Sequence, residues 1–194
     1  MEKKRTAKER ILATASELFY REGIRAVGID RIIEESDVAK ASFYRSFSTK
    51  DDLIVAYLQE RGRLGRERVK EAELLHPDSV KEQLYMLLRQ LVERMRQTGF
   101  RGCAYMNAVV EFPDEDHPAH RQAVENRLEQ WDTIERIATR GGARKPDELA
   151  FKMRLMCNGA MSTSYMHKER FRPDVFFEAA KLIIDSHFDE RPEQ

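Results

Sequence analysis

Two apolar stretches of helical period, "IDRIIEES" (Ile29 to Ser36) and "KASFYRSF" (Lys40 to Phe47), are joined by only Asp37, Val38 and Ala39. Each is about two turns long. A helix that short does not stand alone in water, because nucleation is unfavourable and too few hydrogen bonds follow it. The two must therefore bury their stripes against one another and against a third helix. Ile29, Ile32 and Ile33 form the stripe of the first; Phe43 and Phe47, four apart, form that of the second. With Val38 plugging the corner, this is helix-turn-helix geometry. The third helix is announced upstream by Thr6-x-x-Glu9, a capping box. Ile11, Leu12, Ala15, Leu18 and Phe19 give it one apolar stripe, and Gly23 ends it in the usual C′ role.

The rest of the chain is helical by the same criterion. There is no sustained two-residue alternation and no Asn-Gly hairpin, so strands are not expected. "STKDDL" restarts the chain with Ser48 or Thr49 as cap, and a long charged helix follows, weakened at Gly62 and Gly65 and closed by Pro77. Beyond it come the stripe Val80, Leu84, Leu87, Leu88, Leu91 and Met95, the short apolar "CAYMNAVVEF", and the stripe Val124, Leu128, Trp131 and Ile134. The last two helices are "DELAFKMRLMCNGAMSTSYMHK" and "PDVFFEAAKLIIDSHF". The reading is an all-α chain of about nine helices. An N-terminal three-helix domain is expected over residues 4–64 and a helical bundle over 65–194.

Composition narrows the setting. At 194 residues the chain can build a core without staples. Its two cysteines, Cys103 and Cys157, are too few for a disulfide framework and read as buried small hydrophobes in a reducing cytoplasm. No run approaches ~18 apolar residues, so no membrane partner is expected. Charges throughout the first thirty residues leave no secretory h-region. A net charge of zero hides an asymmetry: residues 1–50 carry 11 Lys and Arg against 8 Asp and Glu. Most of the excess lies in the opening "MEKKRTAKER". A basic end on a neutral protein suits a polyanion contacted only there, the alternative being a solvated tail.

The helical wheel of "KASFYRSF" separates two tasks. Phe43 and Phe47 point inward and hold the helix. Lys40, Ser42, Tyr44 and Arg45 face outward with cations, a hydroxyl and a phenol, groups suited to phosphate oxygens and base edges. Lys50 follows at the next helix start, beside free backbone N–H groups, as a phosphate clamp. An amphipathic helix with an ordinary wet face is the competing reading of the same pattern.

Over residues 5–58, "RILATASELFYREGIRAVGIDRIIEESDVAKASFYRSFSTKDDLIVAYL" resembles the N-terminal domain of TetR/AcrR-type transcriptional repressors. The opening helix ending in "LFYREGIRAVGI", the reader "DVAKASFYRSF" and the restart "STKDDL" carry the likeness. Tyr44, Phe47 and Lys50 stand where that family repeats a Tyr-x-x-Phe end and a following Lys. The resemblance implies a double-stranded, pseudo-palindromic DNA operator, with Gly28, Arg31, Lys40, Ser42, Tyr44, Arg45 and Lys50 as candidate contacts. Four positions depart from the family pattern. Asp37 replaces a turn Gly, though Asp can adopt a left-handed conformation. Ala39 replaces a capping Ser, a loss of ~0.5–2 kcal/mol. Ala41 replaces a frequent Gly, and Ile33 a small Ala.

The resemblance also implies a C-terminal bundle that binds a small molecule and dimerises through its last two helices. "MCNGAMSTSYM" sets Gly159, Ala160, Ser162 and Ser164 among methionines, which permits close helix approach in a homodimer; an intrachain core helix is the alternative. Leu91, Met95, Met106, Val110, Trp131 and Met156 suit the lining of a site for an apolar or aromatic effector. Asn107 and Glu111, four apart, fit either the polar handle of that ligand or bonds to a neighbouring helix end. Glu111, His117 and His120 have no strong metal spacing, and "DEDHPAH" reads as a loop entering a capped helix, so no metal and no cofactor are expected. An enzyme built on Glu111, His117, His120 or His167 would lack any nucleophile elbow, phosphate loop or HExxH spacing. The expected function is a ligand-responsive repressor without catalytic residues.

Overall fold

The computed structural model describes residues 5–188, so Met1 to Lys4 of the basic opening lie outside the described residues. Nine α-helices are present among the described residues, with no strand: α1 (Ala7–Glu22), α2 (Ile29–Glu35), α3 (Lys40–Ser46), α4 (Lys50–Leu75), α5 (Val80–Arg96), α6 (Ala104–Glu111), α7 (Pro118–Arg140), α8 (Pro146–Met166) and α9 (Pro173–Phe188). None of these helices is long and apolar enough to cross a membrane. The helices form two compact units, and the divisions fall inside α4, at the start of α6 and inside α7. One unit holds the chain up to Gly62 together with Ala104–Asn126; the other holds Arg63–Cys103 and the chain from Arg127 onward.

In the first unit, α1 begins at the Thr6 capping box: Thr6 Oγ1 accepts from the Glu9 N–H at 3.2 Å, and Glu9 Oε2 accepts from the Thr6 N–H at 2.7 Å. It ends at Gly23, whose φ of 99° lies where a side chain would be strained. Helices α2 and α3 both pack on α1. Ile11, Ala15, Leu18 and Phe19 meet Ile32, Phe43 and Phe47, and Leu53, Ile54, Tyr57 and Leu58 of α4 complete the floor. Ile29, Ile33 and Val38 are partly buried against this core.

The same core takes in Ala104, Ala108, Phe112, Ala119 and Ala123. The segment 104–126, which the sequence reading places in the C-terminal domain, is thus part of the first unit. The alanines explain why. Small side chains on α6 and early α7 let their backbones approach closely, and Asn126 Nδ2 donates to the Leu58 carbonyl at 2.8 Å. The stripe along α7 differs from the expected one for the same reason. Val124 and Leu128 are exposed, while Ala119, Ala123, Trp131 and Ile137 are buried.

The second unit packs α5, α8 and α9 together. Leu84, Leu88, Val92 and Met95 share its core with Trp131, Leu149, Met153, Cys157, Phe176, Ala180 and Ile184. Gly141 passes so near Val80 that a Cβ there would sit 2.6 Å from that side chain. Polar ties close the ends. Arg144 N–H donates to the His187 carbonyl at 2.8 Å, Lys81 pairs with Asp185 at 2.6 Å, and Tyr85 donates to Asp185. Burial pushes the Cys157 thiol up to about 12, against an opposing pull from the nearby Arg127 charge. Such a thiol is an inert hydrophobe at neutral pH.

Candidate nucleic-acid interface

Helix α3 is held from below. Phe43 is fully buried, Phe47 nearly so, and their rings lie 6.3 Å apart. The turn that delivers α3 uses Asp37 at φ 51°, the left-handed conformation that a glycine would adopt freely. Its carboxylate meets Arg10 of α1 at 3.3 Å. Ala39 occupies the N-cap position without a side-chain hydrogen bond, so the first N–H groups of α3 lack the usual acceptor from a cap.

The outward face carries Lys40, Ala41, Tyr44 and Arg45, all exposed, with Ser42 half-buried among them. Tyr44 stands edge-on to Phe43, ring centroids 5.3 Å apart, and remains 47% exposed. Arg45 donates to Ser42 Oγ at 2.8 Å, which leaves the guanidinium steered along the helix face. Lys40 Nζ lies 3.3 Å from Asp30, in a pair so solvated that it contributes little. Four donors of the expected types therefore share one surface, with no apolar group competing for it except the Ala41 methyl.

The remaining candidates are placed differently. Gly28 is the N-cap residue of α2 and faces open space. Arg31 is clamped: it meets Glu22 at 2.5 and 2.8 Å and Glu35 at 2.7 Å. Those two carboxylates raise its pKa further and neutralise its charge, so it can meet a phosphate only by leaving them. The i, i+4 spacing of Arg31 and Glu35 was a readable sign of this. Glu22, on another helix, gave none. Lys50 opens α4 with its Nζ 5.9 Å from the Phe19 ring centroid. Burial lowers its pKa, and the carboxylates of Glu111 and Asp51 oppose that shift. Thr49, not Ser48, supplies the cap, accepting from the Asp52 N–H at 3.0 Å while Asp52 accepts from the Thr49 N–H at 2.9 Å.

Glu111 bears on this unit directly. Its Oε2 accepts from the Arg25 N–H at 2.7 Å, in the turn just after α1, and its other oxygen lies beside Gly23. Next to it, Arg25 stacks over Phe112 at 5.1 Å and His117 over the same ring at 4.4 Å. His117 Nδ1 accepts from the Ala119 N–H at 3.2 Å, a capping contact for α7, and His120 Nδ1 lies 2.7 Å from the Phe112 carbonyl. Among the described residues, no group of three or more His, Cys, Asp or Glu could hold a metal ion.

The eight ligand candidates divide between the units. Met106, Asn107, Val110 and Glu111 lie on α6 in the first, with Met106 and Val110 exposed. Leu91, Met95, Trp131 and Met156 belong to the second, where Met95 and Trp131 are buried and the other two pack against the same core. Sequence reasoning passed over Arg127, which stacks over Trp131 one turn away at 4.7 Å; the i, i+4 spacing of the two residues was its only signal.

Residues 11–57 match the family model for bacterial regulatory proteins of the tetR family. The whole chain resembles the crystal structure of a TetR-family transcriptional regulator from Streptomyces coelicolor, at 34% identity, with TM-score 0.85 and coverage of 94% of this chain and 96% of that one. A putative TetR transcriptional regulator from Streptomyces avermitilis is 28% identical, with TM-score 0.72 over 91% of this chain and 98% of its own. The HTH-type transcriptional regulator YjdC of Escherichia coli is 21% identical over 180 residues, 91% of this chain and 93% of the relative. With a one-third identical relative matched along almost its full length and a helix-turn-helix presenting Lys40, Tyr44 and Arg45, the chain belongs to the TetR family of DNA-binding transcriptional regulators.

Proposed function

We propose that the protein is a homodimeric repressor that leaves a pseudo-palindromic operator when a small apolar or aromatic effector enters its second unit. The observation that carries the DNA half of this reading is the exposed face of α3, where Lys40, Tyr44 and Arg45 stand over a buried Phe43. Ser42, Lys50 and Gly28 would complete the contact, with Arg31 joining once freed from its carboxylates. Lys40, Tyr44 and Lys50 are assigned to phosphates and Arg45 to a base edge. Work in a bacterial cytoplasm follows from that partner.

The dimer half is supported by an unpartnered apolar stripe. Phe151, Leu155 and Met166 of α8 are 57%, 58% and 67% exposed, and Gly159 and Ser162 lie on the same face between them. On α9, Val175 and Leu182 are 48% and 71% exposed. Two copies joined through these helices would form a four-helix interface, and a two-fold dimer places two α3 helices on successive major grooves, ~34–36 Å apart. Effector binding would favour a dimer with a different spacing, and α4, which runs from Lys50 past Gly62, is the element suited to carry that change. A coupling of ~1–3 kcal/mol lowers operator affinity 5–150-fold.

The test is to select genomic DNA fragments with the purified protein and measure their binding across a salt series. A discrete operator with a steep salt slope supports the reading. Binding without sequence preference, or an operator complex indifferent to every compound linked to the neighbouring genes, would remove it.

A further inference from the structure

Three buried side-chain polar atoms have no hydrogen-bond partner among the described residues: Ser16 Oγ, Gln90 Oε1 and Trp131 Nε1. They are not equivalent. A helical Ser hydroxyl can turn to the carbonyl four residues back, and Gln90 is a half-buried, flexible side chain whose amide nitrogen is already bonded to Glu71 at 2.9 Å. The indole N–H has no such freedom. It is fixed in the plane of a ring that is nine-tenths buried in the second core. A buried donor left unmet forfeits its bond to water with nothing in return, and most native structures avoid it.

Its surroundings repeat the same demand. Arg127 lies over the Trp131 ring at 4.7 Å, half-buried, and donates to Gln130 Oε1 at 2.6 Å and to Asn158 Oδ1. Both acceptors are neutral amides. Among the described residues no carboxylate forms a salt bridge with Arg127, so its charge is met there by neutral acceptors and the Trp131 ring. Met95, Met153, Met156 and Met161 line or border that core; unbranched methionines can repack around a guest.

We infer that Trp131 and Arg127 form the polar end of an effector site, and that the effector is an aromatic or apolar molecule bearing a hydrogen-bond acceptor, best a carboxylate. This rests on the effector response proposed above and reverses the polarity expected from Glu111. That carboxylate is engaged by the Arg25 N–H in the other unit. The indole N–H of Trp131 and the Arg127 guanidinium above its ring are both donors, and donors select an anion rather than an amine.

Trp131 is the only tryptophan, so the full-length protein labelled with nitrogen-15 gives one indole N–H resonance. Naphthylacetate, naphthylethanol and naphthylethylamine offer one skeleton with an anionic, a neutral and a cationic end. The acid should shift the indole resonance downfield and bind on the order of tenfold more tightly than the alcohol, with the amine weakest. Arg127→Gln should abolish that preference and Arg127→Lys keep most of it, with melting curves verifying that both fold. Equal affinities, a preference for the amine, no shift with any of the three, or an intact preference in Arg127→Gln would overturn the assignment. Operator release is scored separately. Release by the alcohol alone overturns this site and leaves the repressor reading standing, whereas a shifted indole without release supports the site and removes the reading of an effector response.

Discussion

Tyr44 and Arg45 stand side by side on the exposed face of α3, yet they differ in what they can tell apart. A phenol on a phosphate carries no base information, so Tyr44→Phe should weaken binding to all DNA sequences by a similar factor. A guanidinium that reaches a base edge discriminates by ~1–3 kcal/mol, so Arg45→Ala should also relax preference at one position. Competition with randomised sites checks both; unchanged preferences after Arg45→Ala confine that residue to the backbone. Glu111 has a different duty at the same scale. With its carboxylate on the Arg25 N–H, Glu111→Gln should lower stability by about 1 kcal/mol and weaken operator binding even without effector. Normal melting and normal operator affinity with a blunted response would return Glu111 to the ligand. Residue pattern alone left this choice open, because the partner is a backbone N–H 86 positions away in sequence.

At the scale of the element, helix ends set what can be tuned. Helix α3 lacks a side-chain cap because Ala39 fills the N-cap with extended backbone, φ −67° and ψ 142°. Since Ala39 is exposed, Ala39→Ser should stabilise the protein by ~0.5–2 kcal/mol in a denaturant melt. Helix α8 starts with Glu148 held by hydrogen bonds from Lys152 and Lys145, which bring its pKa from 4.5 down to about 2. A depressed carboxylate pKa stabilises the fold above 4.5, and that contribution fades as the pH falls towards 2. Glu148→Gln should therefore flatten the fall in melting temperature over that acid range and slightly lower it at neutral pH. The helices themselves were legible from periodicity and caps, as Thr6 with Glu9 and the Gly23 stop show. The face of α7 was not. Hydropathy favours Val124 and Leu128 over Ala119 and Ala123, whereas close packing of helices favours the alanines.

At the scale of the whole molecule, the proposed dimer would make assembly and reading one property. If α8 and α9 join two copies, Leu155→Glu combined with Leu182→Glu buries charges in that interface and should yield monomers by sedimentation. Operator affinity should then fall by several orders of magnitude, since one α3 reads only half a site, while each copy keeps its helical content. A dimer that survives both changes would move the interface elsewhere. The exposed stripe could be anticipated only as a run of small residues, because which face of a helix stays uncovered depends on every neighbour it acquires.

The membership of α6 and early α7 in the first core limits how such a protein can be recombined. Leu53, Ile54, Tyr57 and Leu58 share their core with Ala104, Ala108, Phe112, Ala119 and Ala123. A gene fusion that cut within α4 and transplanted only the reading head would strip away that cover and leave the floor of the head exposed to solvent. The head is thus heritable as a discontinuous set, its first 62 residues travelling with a segment encoded far downstream. Shuffling of sensors among readers would have to respect that seam, and a working chimera would keep its donor's 104–126.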